Sequence, residues 1–533
     1  MSSVFSWRSY YLVLLALRFY FALANSYIHP DEHFQSMEVI CNKILHYSGN
    51  LPWEFTSGNQ ARSMGPLYLM YGPILYSIKW LGLQLTPLQI WYVVRLQNVF
   101  LTWIITDMCI YRLLPTKPER IKGVYFTLSS YVTLVYQSHL FSNSIETCLL
   151  LLAIVIINNL RFAQEIKTKS DENSPNSSLL WLGVIVSIGV FNRVTFPAFL
   201  VLPFWYVLTY VWCHKVSGIY LAIGAIVPTY LFILIDSLSF GKSWAQIIAS
   251  PFDLDSYVIT PLNNLIYNTN YSNLAQHGIH PYYTHILVNL PQLLGPGILF
   301  LFKTSYWKTT PFLSIVSGIV VLSLVPHQEL RFLIPIVPLA CCCFDLYSYS
   351  TNYEGKLRQS LLGSISLKSW YIFNIAMAML MGVFHQGGVV PALDELHLQL
   401  FQNTSTSSVQ VWWRTYSPPT WMLGDTNSTV QTITLNDENF HLGYELDTSK
   451  QNYVFDMMGT NYDKVYQFLV GLKKQRDRPV YFITPTASFN VNFENQALKF
   501  NSTWNYTFHL DMDHLDFSDY ETLVPGLSIY EML

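Results

Sequence analysis

One segment near the start of the chain carries the residue types of an acid–base site. Residues 29–38 read HPDEHFQSME and follow directly on an apolar run. A carboxylate here can act as the general base that takes a proton from a substrate hydroxyl. Because neighbouring residues of a helix face different directions, we expect only one of Asp31 and Glu32 to face a substrate. The spacing also allows structural roles, with Asp31 capping a helix after Pro30 and Glu38 pairing with Lys43.

Cationic side chains further along the chain could stabilise a phosphate that leaves in the same reaction. They stand in the blocks NRVT (Arg193), HQELRF (His327 and Arg331) and HQGG (His385). Such groups can stabilise a departing phosphate without a proton donor. Ionisable residues at membrane depth must be paired or hydrated. We therefore expect these groups to line one polar cleft together with Asp31.

The histidine spacing does not favour a metal site. His29 and His33 have the i, i+4 spacing of a helical zinc site, but Pro30 interrupts the helix and no HExxH motif follows. His277 and His280 are separated by a glycine, which favours a loop. We predict that these imidazoles bind hydroxyl or phosphate groups, and that the protein needs no metal and no other cofactor.

The elements that must position these residues are membrane helices. Of the 533 residues, 51% are hydrophobic and 12% are charged, which is about half the charged fraction of a typical soluble domain. The net charge of −3 includes no basic block, so nucleic-acid binding is not expected. Apolar segments approaching the roughly 20 residues of a spanning helix recur as far as residue 390. The predicted fold class is an all-α polytopic membrane protein with about eleven spans, near 9–26, 88–113, 121–138, 143–161, 178–195, 196–213, 217–236, 283–302, 309–326, 329–347 and 370–388.

Lysine and arginine residues indicate the orientation, because short cytoplasmic loops are enriched in them. If the N-terminus is cytoplasmic and residues 66–84 do not cross, five basic loops fall on the cytoplasmic side. One of them holds Lys356, Arg358 and Lys368. Residues 66–84 are apolar but contain two prolines and two glycines, so they could also be a further span or an interfacial helix.

This orientation places the C-terminal tail in the lumen. We predict a multispan catalytic domain over 1–390, with lumenal loops 27–87 and 240–282, and a mixed α/β lumenal domain over 391–533. Glycosylation sequons agree with this topology, although each N-x-S/T triplet is a weak signal alone. The predicted lumenal sequons are at Asn270, Asn403, Asn427, Asn501 and Asn505.

The motifs resemble one enzyme family in the same order along the chain. HPDEHFQSMEV, LPWEF, SNSIE, NRVTFP, DSLSFGK, NLAQHGIHPYYTHILVNLPQLLGP, HQELRF and HQGGVVP are similar to blocks of the endoplasmic-reticulum mannosyltransferases that use dolichyl phosphate mannose (glycosyltransferase family 22, GT-C type). The tail blocks WRTY (413–416), with Pro418 and Pro419, and DMDHLD (511–516) extend the likeness. SHLFSNSIE has His139-Leu140 where relatives often carry Arg-Thr, so no role is assigned to residues 138–141.

The resemblance implies an inverting mannosyltransferase in the endoplasmic-reticulum membrane. Asp31 would be the base, Glu32 would orient the substrate or its loop, and Arg331, His327, His385 and Arg193 would meet the donor phosphate. The first-loop motif is most similar to members that add a fourth, α1,2-linked mannose to the third mannose of the glycosylphosphatidylinositol (GPI) precursor glycolipid. The further substrate contacts implied are His29, Gln35, Glu38, Trp53, Glu54, Asp236, His277 and His280.

Three other functions stay open at the level of sequence. The acceptor could be that of the third GPI mannose or a lipid-linked N-glycan precursor. A lipid or sugar transporter would show internal repeats and paired broken helices, and no obvious repeat is present. A non-catalytic subunit of a glycosylation complex is the third alternative.

Overall fold

The computed structural model describes residues 6–56, 58, 60–166, 174–276, 278–353, 356–402, 407–436, 440, 446, 450–475, 478–493, 497–515 and 520–533. The chain divides into two compact units, each assembled from separate stretches. The first unit comprises Met1–Phe19, Trp53–Met70 and Leu96–Ala376, and the second comprises Tyr20–Pro52, Tyr71–Arg95 and Met377–Leu533. The predicted domain boundary at residue 390 stays a prediction.

Helices make up most of the chain before the tail, as expected where apolar sequence must satisfy its own backbone. The α-helices, labelled α1 to α21 in chain order, are Trp7–Leu23, Glu38–Leu45, Gly65–Met70, Gly72–Trp80, Pro87–Leu113, Lys117–Ser129, Ser142–Ile166, Ser174–Asn192, Phe204–Cys213, Lys215–Ser239, Trp244–Ala249, Thr260–Thr269, Tyr271–Gln276, Leu290–Leu294, Leu299–Phe302, Thr310–Ser323, Val337–Cys343, Leu361–Met379, Val389–His397, Tyr462–Gln475 and Thr486–Phe493. Short π or 3-10 turns lie at His33–Met37, Trp53–Phe55, Val132–Tyr136, Phe196–Phe199, Leu254–Ser256, His285–Asn289, Gly295–Ile298, Leu330–Ile336, Tyr347–Tyr349, Leu380–Phe384, Leu398–Gln402, Thr420–Leu423 and Tyr520–Leu523.

Five helical segments of the described chain are long and apolar enough to cross a bilayer: Pro87–Leu113, Ser142–Glu165, Lys215–Ser239, His285–Phe302 and Leu361–Phe384. Each matches a predicted span, which confirms the membrane class. The other six predicted spans coincide with shorter helices or with helices joined to π or 3-10 turns. The count of eleven therefore stays a prediction.

One predicted boundary differs from the structure for a local reason. The last span begins at Leu361 rather than near 370, because apolar residues precede Lys368 on the same helix. Lys368 is exposed, as expected for a lysine near the end of a span whose charged group reaches the interface. Residues 66–84 form two short helices, α3 and α4, and neither is long enough to span a bilayer alone.

Helices α8 and α10 of the first unit pack at very close range. A Cβ atom built on Gly224 would lie 2.0 Å from the carbonyl oxygen of Leu180, and one on Gly183 would lie 2.4 Å from that of Leu221. Small residues allow membrane helices to approach backbone to backbone. The pair brings Asp236, near the end of α10, to the end where Arg193 follows α8.

Strands occur near the end of the chain, as the alternating sequence of the tail predicts. β1 (Ser350–Tyr353) and β2 (Lys356–Gln359) form a hairpin. The second unit contains a six-stranded sheet of β3 (Ser408–Trp412), β4 (Val430–Thr434), β5 (Asn452–Asp456), β6 (Val480–Pro485), β7 (Phe500–Tyr506) and β8 (Leu527–Met532). The strand order is β4-β5-β3-β6-β8-β7, with β4, β5, β3 and β6 parallel and β8 antiparallel to both neighbours.

Strand β3 is buried along its whole length, including its two polar residues Ser408 and Gln410. All five residues of β3 are buried, as expected for a central strand covered on both faces. Trp413, Phe455 and Phe482 pack in one cluster with Leu469 of helix α20. The predicted mixture of helices and strands in the tail is confirmed, and its lumenal position stays a prediction.

Candidate active site

The acidic segment lies in the second unit, where its backbone turns into a helix at Pro30. The N–H of Glu32 donates to the carbonyl of His29, and the N–H of His33 to that of Pro30, both at 3.0 Å. The N–H of Asp31 donates to Nδ1 of His29 at 3.2 Å, and that nitrogen lies 3.6 Å from Oδ1 of Asp31. The side chain of Asp31 keeps 20% of its surface exposed. The backbone of Asp31 is thus held in a local turn, and its side chain is partly exposed.

The neighbouring carboxylate, Glu32, is fully buried against Arg95. Its Oε1 accepts Nε–H of Arg95 at 3.1 Å and an Nη2–H at 2.8 Å. Arg95 also donates to three backbone carbonyls within residues 22–26, and its guanidinium lies 3.8 Å from the ring centre of Trp91. Glu32 therefore helps to hold the turn that presents Asp31. This burial favours a positioning role for Glu32, not contact with substrate.

Two other predicted contact residues of this segment are also buried. His33 stacks on Trp91, with ring centres 5.9 Å apart, and its Nδ1 accepts Nε1–H of Trp421 at 3.2 Å. Glu38 accepts the N–H of Asn50 at 2.6 Å and the hydroxyl of Thr420 at 2.8 Å. The structure thus places Glu38 as a tie between chain segments of the second unit, where a substrate contact was predicted. Gln35 is half-buried on the π turn.

Burial of Glu38 predicts a pH-dependent stability. Burial is the largest cause and raises the pKa of Glu38 from 4.5 to about 7, against the hydrogen bonds that lower it. The folded chain therefore binds this proton more tightly than the unfolded chain. The contribution of Glu38 to stability should be fully present below pH 4.5 and be lost as pH rises through about 7, by on the order of 3 kcal/mol. Glu38→Gln should flatten this decline, measured as apparent Tm of the purified protein at pH 5 and pH 7.5. The exposed Glu521→Gln is the control, and an equal pH dependence of native and Glu38→Gln proteins would contradict the assignment.

His385 lies beside the acidic segment within the second unit. Its Nε2 is 3.2 Å from the carbonyl oxygen of Ile28 and 3.2 Å from the hydroxyl of Tyr416. The ring of Tyr416 also contacts those of Tyr27 and His29, with centres 5.6 and 6.4 Å away. Tyr416 was not predicted as a site residue. Its only signal in the sequence is membership of the WRTY block.

The predicted cationic residues of the first unit meet around an acid that was not predicted. Glu329 accepts from His327 Nε2 at 2.7 Å with one oxygen and from Nε–H of Arg331 with the other. The second nitrogen of His327 is 2.9 Å from the carbonyl of Gly278. Both ring nitrogens face acceptors. Burial lowers the pKa of His327, but the bonds to Glu329 and to Gly278 outweigh it and leave the pKa raised. The ring of His280 lies 6.1 Å from that of His327.

Arg193 is more deeply buried and is neutralised. Its Nε lies 3.1 Å from a carboxylate oxygen of Glu146, which is fully buried, and one of its terminal nitrogens donates to the hydroxyl of Ser142 at 2.9 Å. Asn143 donates to the carbonyl of Arg331 at 3.0 Å. The blocks SNSIE, NRVT and HQELRF therefore meet in the first unit. Arg193 supports this cluster, and Glu146 neutralises its charge.

Asp236 serves the fold of the same unit. Its Oδ1 accepts the hydroxyl of Ser63 at 3.0 Å and the N–H of Met64 at 2.8 Å, and its Oδ2 accepts the hydroxyl of Thr260 at 2.7 Å. The carboxylate is fully buried, which favours a structural role over the predicted substrate contact. It ties the start of α3 to α10 and α12.

Trp53 and Glu54 stand on one 3-10 turn of the first unit. The ring centre of Trp53 is 4.4 Å from that of Tyr267. Glu54 accepts two hydrogen bonds from the guanidinium of Arg62, each at 3.2 Å. This pairing joins the LPWEF block to Arg62, which lies eight residues after Glu54 in the sequence.

Comparison with known proteins identifies the family. Residues 9–424 match the model of the Alg9-like mannosyltransferase family. Similar proteins named GPI mannosyltransferase 4 are 55% identical in Debaryomyces hansenii and 54% identical in Candida albicans, each over 99% of both chains. One from Saccharomyces cerevisiae is 37% identical over 99% of both chains.

The chain belongs to the Alg9-like mannosyltransferase family. It is therefore a glycosyltransferase, and the predicted family resemblance is confirmed. Among solved structures, ArnT from Cupriavidus metallidurans in the apo state is similar with 9% identity and a TM-score of 0.48, covering 98% of this chain and 97% of that chain.

The remaining predictions for this mannosyltransferase concern glycans and metals. Asn270, Asn427, Asn501 and Asn505 are exposed, and their glycosylation stays a prediction. His277 and Asn403 lie outside the described residues. Within the described ranges, no three His, Cys, Asp or Glu side chains come together as a metal site requires. That the mannosyltransferase needs no metal stays a prediction too.

Proposed function

We propose that this protein transfers mannose from dolichyl phosphate mannose to the third mannose of the GPI precursor, forming an α1,2 linkage in GPI-anchor biosynthesis. The full-length likeness to proteins named GPI mannosyltransferase 4, at 55% and 54% identity, carries the proposal. The first-loop motif HPDEHFQ followed by LPWEF supports the same member of the family.

In the proposed reaction Asp31 acts as the general base. It takes the proton of the acceptor hydroxyl while that oxygen bonds to C1 of the mannose on the face opposite the phosphate. The bond from C1 to the phosphate oxygen breaks, and its electron pair stays on dolichyl phosphate. The β-linked donor thereby gives an α-linked product. The exposed edge of Asp31 and its fixed turn support this role.

Arg331 and His327 stabilise the departing phosphate in this proposal. A guanidinium and an imidazolium share the single carboxylate of Glu329, so the trio carries a net positive charge when His327 is protonated. Preorganised charge at the position where negative charge develops is a large contribution to catalysis. Arg193, already paired with Glu146, supports this arrangement.

The proposed setting is the endoplasmic-reticulum membrane, with eleven spans of GT-C type and the acidic segment, the sequons and the tail in the lumen. The five long apolar helices support membrane insertion. The described asparagines of the sequons are exposed and therefore accessible to glycosylation, as the proposed lumenal position requires.

The acceptor is tested by the lipid that accumulates when the gene is deleted. Loss of the fourth-mannose enzyme should leave a GPI intermediate with three mannoses, identified by mass spectrometry of radiolabelled lipids. Accumulation of a two-mannose intermediate would contradict the proposed acceptor. Transfer by the purified single chain, given donor and the three-mannose lipid, would exclude a scaffold and a transporter.

Substitution of Arg331 tests the phosphate clamp. Arg331→Lys should lower kcat/KM about tenfold and Arg331→Ala about a hundredfold or more, because lysine keeps the charge but loses the planar fork of donors. The measurement is initial rate of mannose transfer by purified protein at varied donor. The exposed Lys308→Ala in the same unit is the control. Equal rates of the two Arg331 variants would remove Arg331 from this role.

A further inference from the structure

A small cavity in the second unit brings together two tail blocks that the proposed reaction does not use. Arg414, from the WRTY block, and Asp511 and His514, from the DMDH block, line it together with Ser488 and His509. Its volume of about 30 Å³ has room for about two water molecules. Pro485, Val491 and Val524 provide apolar walls.

The backbone around this cavity is held in an unfavourable conformation. Arg414, Gln386 and Met458 all have positive φ, at 55°, 48° and 47°. Each of the three is bonded to or is a lining residue of the cavity: Arg414 N–H donates to the carbonyl of Met458 at 2.8 Å, and Gln386 donates to the lining residue Asp511 at 3.4 Å. Non-glycine residues in this region are strained and cluster at functional sites.

Both carboxylate oxygens of Asp511 in the cavity already accept hydrogen bonds. Oδ2 of Asp511 accepts from Nδ1 of His514 at 2.6 Å, and Oδ1 accepts the N–H of Asp513 at 3.2 Å and the amide of Gln386. These three hydrogen bonds give both oxygens of the Asp511 carboxylate donors from the protein itself.

The donors that line the cavity are not all engaged. His509 is 1% exposed, and its Nδ1 accepts the N–H of Gly388 at 3.2 Å, so its proton lies on Nε2. Within the described part of the chain, that Nε2 and the Nε of Arg414 are buried without a hydrogen-bond partner. A buried donor without a partner is destabilising, and a ligand with acceptor oxygens would satisfy both of these donors.

The charge of the cavity selects the kind of acceptor. One terminal nitrogen of Arg414 donates to the hydroxyl of Ser488 at 3.3 Å. The charge of Asp511 acts on Arg414, but the hydrogen bonds to the Asp511 oxygens come from His514, Asp513 and Gln386. A sugar hydroxyl would bring its own proton and need a further acceptor. An oxyanion such as phosphate carries acceptor oxygens and a negative charge but no donor of its own. Its oxygens match the planar arrangement of N–H donors on a guanidinium.

We propose that this cavity binds the oxygens of a phosphate group. Its size suits two phosphate oxygens, with any ester substituent remaining outside. The phosphate could be carried by the acceptor glycolipid, a source that rests on the proposed function, or be free inorganic phosphate.

The test measures binding without turnover, so its outcome does not depend on the proposed reaction. Purified full-length protein is heated with 20 mM inorganic phosphate, or with methyl phosphate, against chloride at equal ionic strength. The native protein and the control Arg478→Gln should gain about 2–4 °C in apparent Tm, as a millimolar dissociation constant implies. Arg414→Gln should gain nothing. Ser488→Ala, which keeps the arginine, should bind about three- to tenfold more weakly.

The outcomes show whether the phosphate belongs to the acceptor glycolipid or is the free ion, and whether the cavity binds phosphate at all. An Arg414-dependent shift with methyl phosphate, together with a roughly tenfold higher KM for the acceptor glycolipid in Arg414→Gln and an unchanged KM for the donor, assigns the site to the substrate. A shift with inorganic phosphate alone assigns it to the free ion. No shift in the native protein, or equal shifts in native and Arg414→Gln proteins, overturns the proposal. If Arg414→Gln does not fold, a Ser488→Ala protein that binds phosphate as tightly as the native protein overturns the proposal.

Discussion

Replacement of Asp31 by asparagine should leave the protein folded and lower the rate of mannose transfer about a thousandfold. The side chain keeps its shape, and its turn is held by backbone bonds from Asp31, Glu32 and His33 that the substitution leaves intact. The amide cannot accept the proton of the acceptor hydroxyl. The loss should therefore appear in kcat, measured with purified protein and saturating donor and acceptor.

The control for Asp31→Asn is Asp463→Asn, an exposed acid of the same unit on helix α20. It should transfer mannose at the native rate. Binding of dolichyl phosphate mannose to Asp31→Asn should stay close to native, because the proposed donor contacts are Arg331 and His327. An Asp31→Asn protein that retains more than about a tenth of native kcat would show that another group is the base.

Much of the membrane part could be predicted because its signal is local. The five long apolar helices follow directly from runs such as 217–236, and each coincides with a predicted span. The predicted start of the last span was wrong because Lys368 was interpreted as part of a loop. The helix begins at Leu361 and continues past this lysine. Single charged residues near span ends are weak markers, since long side chains can reach the interface.

The opposite orientations of Asp31 and Glu32 also follow from local geometry, because adjacent residues of a helix diverge. The partner of Glu32 could not be predicted, since Arg95 lies 63 positions away and inside a predicted span. Glu329 is different. It stands between His327 and Arg331 in the sequence, and an acid that separates two cations by two residues each is a readable signal for a shared carboxylate.

Two acids that were predicted to contact substrate are buried and hydrogen-bonded to other parts of the protein. Glu38 and Asp236 are conspicuous in a sequence poor in charge, and such residues default to functional hypotheses in membranes. Each instead accepts three or more hydrogen bonds from distant segments. The sequence indicates that an acid in such apolar surroundings needs hydrogen-bond donors. It does not indicate whether those donors belong to the substrate or to the protein itself.

Removal of Arg95 is expected to have the second large effect. Arg95→Met leaves the carboxylate of Glu32 buried without its cation and frees three carbonyls within residues 22–26. Breaking one side of a buried ion pair costs about 3–5 kcal/mol. The variant should accumulate poorly or show a clearly lowered Tm, measured by fluorescence-detected size-exclusion chromatography after heating. Arg112→Met, at the other end of the same helix α5, is the control and should behave as the native protein.

The double variant Arg95→Met/Glu32→Met distinguishes two effects of the buried ion pair: its effect on stability and its effect on the position of Asp31. Removing both charges should recover part of the Tm lost in Arg95→Met, because no uncompensated charge stays buried. The recovery should be incomplete, since the carbonyls within residues 22–26 still lack the donors of Arg95. Mannose transfer should stay far below native, because the turn that presents Asp31 is then no longer tied to α5. A double variant whose loss of stability equals the sum of the losses in Arg95→Met and in Glu32→Met would show that the pair contributes no coupling energy. A double variant with native kcat would show that Glu32 and Arg95 do not position the base.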